Sequence, residues 1–180
     1  MITPVRAAPH PVIQDVWNAL DSLTDPEIPV VTLREMGILR DVEHIADNRV
    51  VVVITPTYSG CPAMEQIHDD ICSTVKALGL NVEVRTQLAP AWTTDWMTEV
   101  AKDKLKAYGI APPNRQCGAP SEQTSVIHFM RKPLHAEEAV ACPRCGSSHT
   151  VESSHFGSTA CKSLYKCLDC QEPFDYFKPY

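Results

Sequence analysis

Two Cys-x-x-Cys pairs near the C-terminus constrain the fold more than any other feature of the sequence. Residues 146–166 separate the pairs, whose members are Cys142 and Cys145, then Cys167 and Cys170. Two thiolates three positions apart can point into one tetrahedral site, and two such pairs complete a four-thiolate shell. The spacing therefore predicts a zinc ribbon over residues 140–180, although four thiolates also suit iron or an iron–sulfur cluster.

We expect the metal to fold this segment. About 40 residues is near the size at which a hydrophobic core alone no longer stabilises a fold. A structural zinc site contributes roughly 10–16 kcal/mol of apparent binding free energy, as much as the stability of an ordinary domain. Zinc is thus the expected structural cofactor. Cys161 lies close to the second pair and is interpreted as a buried apolar side chain or as a substitute ligand.

Composition and charge exclude several classes of protein. A chain of 180 residues with 44% hydrophobic residues suffices for one mid-sized domain and a small appendage. The formal net charge of −6 argues against nucleic acid as the main partner. No apolar run approaches the roughly 18 residues of a membrane span, and residues 1–11 lack the apolar centre of a signal peptide. Eight cysteines then favour a reducing cytoplasm over a disulfide scaffold.

The rest of the chain predicts an α+β domain over residues 11–113, joined to the ribbon by a connection over 114–139. Apolar residues recur at helical and strand periods, with five β-branched residues in a row at 50–54 that indicate a central strand buried on both faces. The predicted order is α-β-β-α-β-α, with helices over a sheet of three or four strands. The helices are expected at 11–23, 62–78 and 94–108, the strands at 38–45, 49–57 and 82–88, and a further short strand at 126–130.

Two tryptophans lie at the start of the last predicted helix. Helical spacing places Trp96 on the inward face, with Met97, Val100, Ala101, Leu105 and Tyr108. Trp92 precedes the helix, so it is the better candidate for an exposed or site-lining residue.

Cys61 is a candidate reactive or metal-binding thiol. It follows the predicted central strand, and Pro62 is expected to be the first residue of the next helix. The amide N–H groups and the dipole at a helix N-terminus would stabilise a thiolate. The alternative is a buried cysteine used for packing, and the sequence leaves both interpretations open. Cys72, within the same helix, is expected to pack.

The segment Asp25-Pro26-Glu27 is a further candidate. Two carboxylates on a stiff loop can serve as acid–base groups, as ligands for hard metals or as hydrogen-bond caps, and capping is the commoner role for Asp before Pro. No phosphate-binding glycine loop, dinucleotide fingerprint, nucleophile elbow or Glu-x-x-His motif is present. The chain therefore lacks the equipment of a self-sufficient oxygenase or reductase.

The order of these motifs resembles the SufT-like family of iron–sulfur assembly factors. The matching motifs are Asp25-Pro26-Glu27-Ile28-Pro29, Met36-Gly37-Ile38, and Thr55-x-Thr57 followed by Gly60-Cys61-Pro62. The stretch at 90–96 and the ribbon segments at 154–162 and 172–178 are similar to the PaaD family of phenylacetate-degradation proteins, which is counted among the components of the phenylacetyl-CoA 1,2-epoxidase system. The resemblance extends from about residue 12 to the end.

The resemblance implies a non-catalytic accessory factor in aerobic phenylacetate catabolism. It implies a di-iron oxygenase and a reductase as partner subunits, together with iron–sulfur assembly proteins, and a role in maturing or inserting iron or iron–sulfur centres. Carried over by position, the motif cysteine is Cys61. The supporting positions are Asp25, Glu27, Thr55, Thr57 and Trp92.

Three functions remain open. The first is metallocentre maturation, with a transient iron or iron–sulfur cluster at Cys61. The second is a structural adaptor that docks onto the oxygenase through the ribbon. The third, a thiol-dependent transferase, ranks last because no general base is visible beside Cys61. One cysteine offers too few ligands for a whole cluster, so a cluster would be shared with a client or across a homodimer.

Overall fold

The structure, a computed structural model, describes residues 11–46, 48–113 and 139–180. The chain divides into two compact units, of which the first ends at Leu105 and the second begins at Lys106. The strand predicted at 126–130 and nearly all of the predicted connection lie outside the described residues. The predicted domain bounds accordingly stay predictions.

The first unit contains its elements in the predicted order. The strands are β1 Leu39–Ala46, β2 Arg49–Ile54 and β3 Asn81–Thr86, and the helices are α1 Pro11–Leu20, α2 Met64–Ala77 and α3 Glu99–Tyr108, whose last residues belong to the second unit. None of the helices in the described part of the chain is long and apolar enough to cross a membrane.

The three strands of the first unit form one sheet in the order β1-β2-β3. Strand β1 is antiparallel to β2, and β2 is parallel to β3. The register pairs Leu39 with Ile54 and Ile54 with Thr86. The start of β1 and the ends of β2 and β3 therefore lie at one edge, which we call the carboxyl edge. The connections before β1, after β2 and after β3 all meet this edge.

The core of the first unit surrounds the central strand. Residues 50–54 of β2 are all buried, which confirms the prediction of a strand covered on both faces. Helix α2 buries Ile67, Ile71 and Val75, because positions four apart lie on one face of a helix. Leu78, the last residue of the predicted stripe, lies beyond the end of α2 and is exposed.

The helix predicted at 94–108 is interrupted. A 3-10 turn spans Thr94–Trp96, Met97 has an extended backbone, and α3 begins at Glu99. The reason is a pair of capping threonines: Thr93 accepts a hydrogen bond from the N–H of Asp95, and Thr98 accepts one from the N–H of Ala101 at 3.1 Å.

The interruption changes which side chains are buried. The buried face of α3 consists of Ala101 and Leu105, whereas Val100 and Tyr108, predicted to face inward, are exposed. The prediction that Trp96 is the more deeply buried of the two tryptophans is wrong, because the helical period does not extend back to residue 96. Trp96 is half-buried, and Trp92 is only 4% exposed.

The second unit is a four-stranded sheet in the order β4-β7-β6-β5. Strand β4 pairs with β7 in parallel, and the other pairs are antiparallel. The strands are β4 Ile110–Ala111, β5 Thr150–Ser154, β6 Lys162–Cys167 and β7 Pro173–Phe177. The small core of this unit consists of Ala111, Val140, Cys142, Tyr165, Cys167, Phe174 and Tyr176. Two of the predicted metal ligands are thus also core residues.

Candidate metal centre and cysteine site

The two Cys-x-x-Cys turns share an equivalent backbone hydrogen bond. We call residues 142–147 the first knuckle and residues 167–172 the second knuckle. In the first, the N–H of Cys142 donates to the carbonyl of Ser147 at 2.9 Å, and in the second the N–H of Cys167 donates to that of Glu172 at 2.9 Å. Each turn contains a residue with positive φ, at 77° and 65°, and these residues are Gly146 and Gln171.

The four sulfur atoms form one compact cluster. All four Sγ atoms lie within 4.8 Å of one another, and the cluster comprises Cys142, Cys145, Cys167 and Cys170. The sulfur of Cys142 lies 3.7 Å from that of Cys170, and the sulfur of Cys145 lies 3.6 Å from that of Cys167. Tetrahedral zinc with Zn–S bonds of about 2.3 Å needs sulfurs separated by about 3.8 Å. The donor set and its dimensions therefore fit a zinc ion.

Hydrogen bonds separate the acidities of two adjacent thiols. The N–H of Cys170 lies 3.5 Å from the Cys167 sulfur. This bond, with weaker contributions from the N–H of Asp169 and the thiols of Cys170 and Cys145, lowers the pKa of Cys167 to about 7 against the effect of desolvation. A backbone hydrogen bond from Glu172 opposes the shift at Cys170, yet desolvation and the neighbouring thiols raise the pKa of Cys170 to about 12. One thiolate forms readily near neutral pH, whereas further ionisation needs positive charge nearby. Metal binding supplies that charge and releases the protons.

The polar residues around the knuckles have partners of their own. Cys161 is buried, and its sulfur lies 3.1 Å from Thr159 Oγ1. His149 contacts Asp169, and His155 contacts Glu152. In the described ranges, the cluster of possible metal ligands contains the four predicted cysteines and not Cys161. The interpretation of Cys161 as a buried side chain is thereby favoured over that of a substitute ligand.

Cys61 lies in the connection that leaves the carboxyl edge after β2. Its N–H donates to the carbonyl of Tyr58 at 3.2 Å, its carbonyl accepts from the N–H of Met64 at 3.3 Å, and its side chain is half-buried. The prediction that Pro62 begins the helix is wrong: Pro62 lies in a turn, and α2 begins at Met64 after Ala63, which makes no side-chain cap. Cys61 therefore lies ahead of the first helical turn and not within it.

The two threonines of the same connection are buried. Thr55 donates its N–H to the carbonyl of Ile38 at 2.9 Å, which joins the segment before β1 to the end of β2. Its side chain is only 1% exposed, and its hydroxyl oxygen has no hydrogen-bond partner among the described residues. Thr57 is also buried. The buried Thr55 hydroxyl is a polar group whose burial costs free energy unless a partner is supplied.

Asp25 caps its own loop. The carboxylate oxygen Oδ1 accepts the N–H groups of Glu27 at 2.9 Å and Ile28 at 3.0 Å, and the residue is buried. Asp25 therefore caps its loop, which is one of the three roles that the sequence left open. Glu27 is exposed. Any contribution of either carboxylate to chemistry at Cys61 stays a prediction.

The two tryptophans attach the segment after β3 to the turn before β1. The indole N–H of Trp92 donates to the carbonyl of Met36 at 2.9 Å, and the guanidinium of Arg40 lies 3.5 Å from the ring centre of Trp96. Trp92 is buried in this contact, so it supports the carboxyl edge from within the fold. The carboxyl edge thus brings together the segments that carry Thr55, Cys61 and Trp92. Asp25 precedes these segments in the sequence and lies on a separate loop.

Sequence reasoning missed Glu35 in this region. The N–H of Thr32 donates to Glu35 Oε2 at 2.9 Å, and the N–H of Glu35 donates to Thr32 Oγ1 at 3.1 Å. The carbonyl of Glu35 also accepts the N–H of Thr98 at 2.9 Å. The signal was available, because Thr-x-x-Glu is the pattern of a reciprocal capping box.

Comparison with known protein families assigns both parts of the chain. Residues 13–86 match the family of iron–sulfur cluster assembly proteins. Residues 128–178 match the PaaD zinc beta ribbon domain. The second match covers all four clustered cysteines, and the first covers Asp25, Thr55 and Cys61.

Individual relatives are similar to the whole chain or to its first part. A putative 1,2-phenylacetyl-CoA epoxidase subunit of Escherichia coli (strain K12) is 45% identical over 170 residues, which is 93% of each chain. An Fe–S protein maturation auxiliary factor of Porphyromonas gingivalis is 33% identical over 94 residues, which is 51% of this chain and 89% of that protein. The crystal structure of a domain of unknown function, DUF59, from Bacillus anthracis shares 27% identity over 52% of this chain and 91% of that chain, with a TM-score of 0.49. With its ribbon and its full-length similarity to the Escherichia coli epoxidase subunit, the chain belongs to the PaaD family.

Proposed function

We propose that this protein is a non-catalytic accessory factor of a phenylacetyl-CoA 1,2-epoxidase system, in which it assists maturation of iron or iron–sulfur centres. The epoxidase-subunit relative, similar over 93% of each chain, supports the place in phenylacetate catabolism. The auxiliary-factor relative, similar over 94 residues, supports the maturation role. The observation that carries the proposal is the half-buried Cys61 on a connection at the carboxyl edge, within a region that matches iron–sulfur assembly proteins.

In this proposal Cys61 is the ligand that holds iron or a cluster during transfer. Thiolate sulfur is the preferred ligand of iron–sulfur clusters. A single protein thiolate leaves most cluster positions open, so a second copy or a client must provide the other ligands. Such incomplete coordination suits a carrier, because the cargo can leave when a client offers a full set of ligands. The transferred metal is cargo here, distinct from the structural metal of the ribbon.

The remaining candidate residues have supporting roles in this proposal. Asp25 holds the acidic loop through its caps, and Trp92 holds the segment after β3 against the turn before β1. The buried hydroxyl of Thr55, with Thr57 beside it, lies on the segment that leads to Cys61. We place this work in the cytoplasm, with the oxygenase, the reductase and iron–sulfur assembly proteins as partners and with a homodimer as one way to share a cluster.

The test is the cluster content of the partner reductase. The reductase is co-produced with wild-type protein, with Cys61→Ala or with Cys72→Ala, and its iron and acid-labile sulfide are measured per chain. Cys72 is the matched control because it is also half-buried and follows in α2. We expect a several-fold loss of cluster with Cys61→Ala and no change with Cys72→Ala. Full cluster content with Cys61→Ala would refute the maturation role.

A structural adaptor is the second candidate function. The connection between β5 and β6 presents Phe156, which is 63% exposed, with the ammonium of Lys178 4.6 Å from its ring centre. An exposed aromatic side chain beside a cation is typical of contact surfaces. Co-production with the oxygenase, followed by purification and an activity measurement, separates the two functions. An adaptor co-purifies with the oxygenase in fixed ratio and is required continuously, whereas a maturation factor can be removed without loss of activity.

A further inference from the structure

The two knuckles of the ribbon are connected by side chains as well as by the metal site. The hydroxyl of Ser147 donates to Asp169 Oδ2 at 2.5 Å, and His149 Nδ1 lies 3.1 Å from Asp169 Oδ1. Both oxygens of the Asp169 carboxylate, on the second knuckle, therefore bind residues that follow the first pair of cysteines. The N–H of Leu168 adds a bond to the carbonyl of His149 at 2.8 Å. We call these residues the knuckle clamp.

The knuckle clamp is directly connected to the metal ligands. The carbonyl of Ser147 accepts the N–H of Cys142 at 2.9 Å, and the hydroxyl of Ser147 accepts the N–H of His149 at 3.0 Å. Asp169 itself lies between Cys167 and Cys170 in the second turn. Displacement of Ser147 or of Asp169 would therefore displace a cysteine of the cluster.

Burial indicates where metal loss must begin. Cys142 and Cys167 are buried, whereas Cys145 and Cys170 are exposed. A chelator in solution can reach the exposed sulfurs first. Separation of the first and second knuckles would expose the two remaining sulfurs and speed complete release, because these sulfurs come from different knuckles. The clamp opposes that separation.

We propose that Asp169 controls retention of the ribbon metal by holding the two knuckles together, although its carboxylate is not a ligand. Groups that hydrogen-bond around a metal site typically change metal affinity by about 10–100-fold when they are substituted. The inference is independent of the proposed maturation function and concerns only the structural metal.

The test measures how fast the zinc-loaded full-length protein releases zinc to excess 4-(2-pyridylazo)resorcinol, from the absorbance of the zinc complex. We expect Asp169→Asn to release zinc about tenfold faster than wild type, because the amide lacks the charge and the second accepting oxygen through which Asp169 holds Ser147 and His149. Glu172→Gln is the matched control. It removes the same charge from an exposed side chain of the second knuckle. Glu172 contacts Cys167 and Cys170 through its backbone, which the substitution keeps, so the release rate should stay within about twofold of wild type.

Two further variants separate retention from folding. Ser147→Ala leaves Asp169 in place and removes one clamp bond, so it should also speed release. The double variant that combines Ser147→Ala with Asp169→Asn should release zinc no faster than Asp169→Asn alone, because the effects of substitutions in one hydrogen-bond network are not additive. The cobalt-substituted Asp169→Asn protein should keep the wild-type thiolate charge-transfer bands, which shows that four thiolates still bind. Equal release rates for Asp169→Asn and Glu172→Gln, unchanged release from Ser147→Ala, or loss of those bands would each overturn the proposal.

Discussion

Glu35 joins two parts of the first unit through one side chain. It closes the capping box with Thr32, and its two carboxylate oxygens lie 2.7 Å and 2.9 Å from the ammonium of Lys104. Burial acts against ionisation, but Lys104 and the N–H of Thr32 outweigh it, so the pKa of Glu35 is lowered from its ordinary value. The carboxylate form of Glu35 is therefore more stable in the folded protein than in the unfolded chain.

Glu35→Gln should destabilise the first unit by about 1 kcal/mol at neutral pH, because it removes the ion pair while keeping an oxygen for the Thr32 N–H. A carboxyl with a lowered pKa contributes stability that is fully present above the unfolded pKa, about 4.3 for Glu. That stability is lost as the pH falls through the lower folded value. The difference between wild type and variant should thus be largest near neutrality and vanish in acid. Urea unfolding at a series of pH values measures it.

Tryptophan fluorescence follows this unfolding selectively, because all three tryptophans precede residue 106. Glu99→Gln is the control, since Glu99 pairs with Lys102 on the surface of the same helix, and such pairs contribute little. A Glu35 effect that persists unchanged at acidic pH would contradict the assigned role of its charge.

At the scale of elements, the turn before β1 fits closely against the 3-10 turn after β3. Gly37 has a φ of +70°, and a Cβ at this position would lie 2.7 Å from the Cβ of Trp96 and 2.8 Å from its carbonyl oxygen. Arg40 Nη1 lies 3.4 Å from the carbonyl of Gly37, and its guanidinium covers the Trp96 ring. Only glycine can occupy position 37 without displacing one of these turns.

Gly37→Ala should cost about 2–4 kcal/mol, of which about 1 kcal/mol is left-handed backbone strain and the rest is overpacking against Trp96. Gly79→Ala is a matched comparison, because Gly79 has a φ of +77° but no atom of the described residues lies within 4 Å of its Cβ position. That variant should cost only the strain, about 1 kcal/mol. Urea unfolding followed by tryptophan fluorescence compares the two. Equal losses would show that the contact with Trp96 contributes nothing.

The elements differ in how well the sequence predicts them. Strand β2 and helix α2 were predictable, because five consecutive β-branched residues and a helical stripe are strong local patterns. The four clustered cysteines were predictable from spacing alone. The environments of Trp92 and Trp96 were not, since the caps of Thr93 and Thr98 interrupt an otherwise continuous helical period. The meeting of three connections at the carboxyl edge was not predictable either, because strand order depends on pairing between distant segments.

At the scale of the whole molecule, the two units are stabilised differently. The first unit has a core around a central strand that is buried from Val50 to Ile54. The second has a small core in which Cys142 and Cys167 are themselves members. Binding of a metal by these cysteines would therefore be coupled to formation of the core, and a structural zinc site typically contributes roughly 10–16 kcal/mol of apparent binding free energy.

Removal of the metal should accordingly unfold the second unit and leave the first folded. We expect chelation of zinc, or Cys142→Ser, to abolish amide-exchange protection in β5, β6 and β7 while β1, β2 and β3 stay protected. Hydrogen exchange with mass spectrometry resolves the two units by peptide. Cys61→Ser, which lies outside the ribbon, is the control and should leave both units protected. Loss of protection in β1–β3 after chelation would show that the first unit also depends on the metal.

The connections before β1, after β2 and after β3 all lie at the carboxyl edge. The opposite end of the first sheet can therefore be altered without changing them. There the chain passes from β1 to β2 and from α2 to β3, and Asn81 donates its N–H to the carbonyl of Asn48 at 2.7 Å. Leu78 is exposed and a side chain at Gly79 would meet no neighbour. An inserted reporter peptide or a permuted pair of termini at this end would leave the connection that carries Cys61 unchanged.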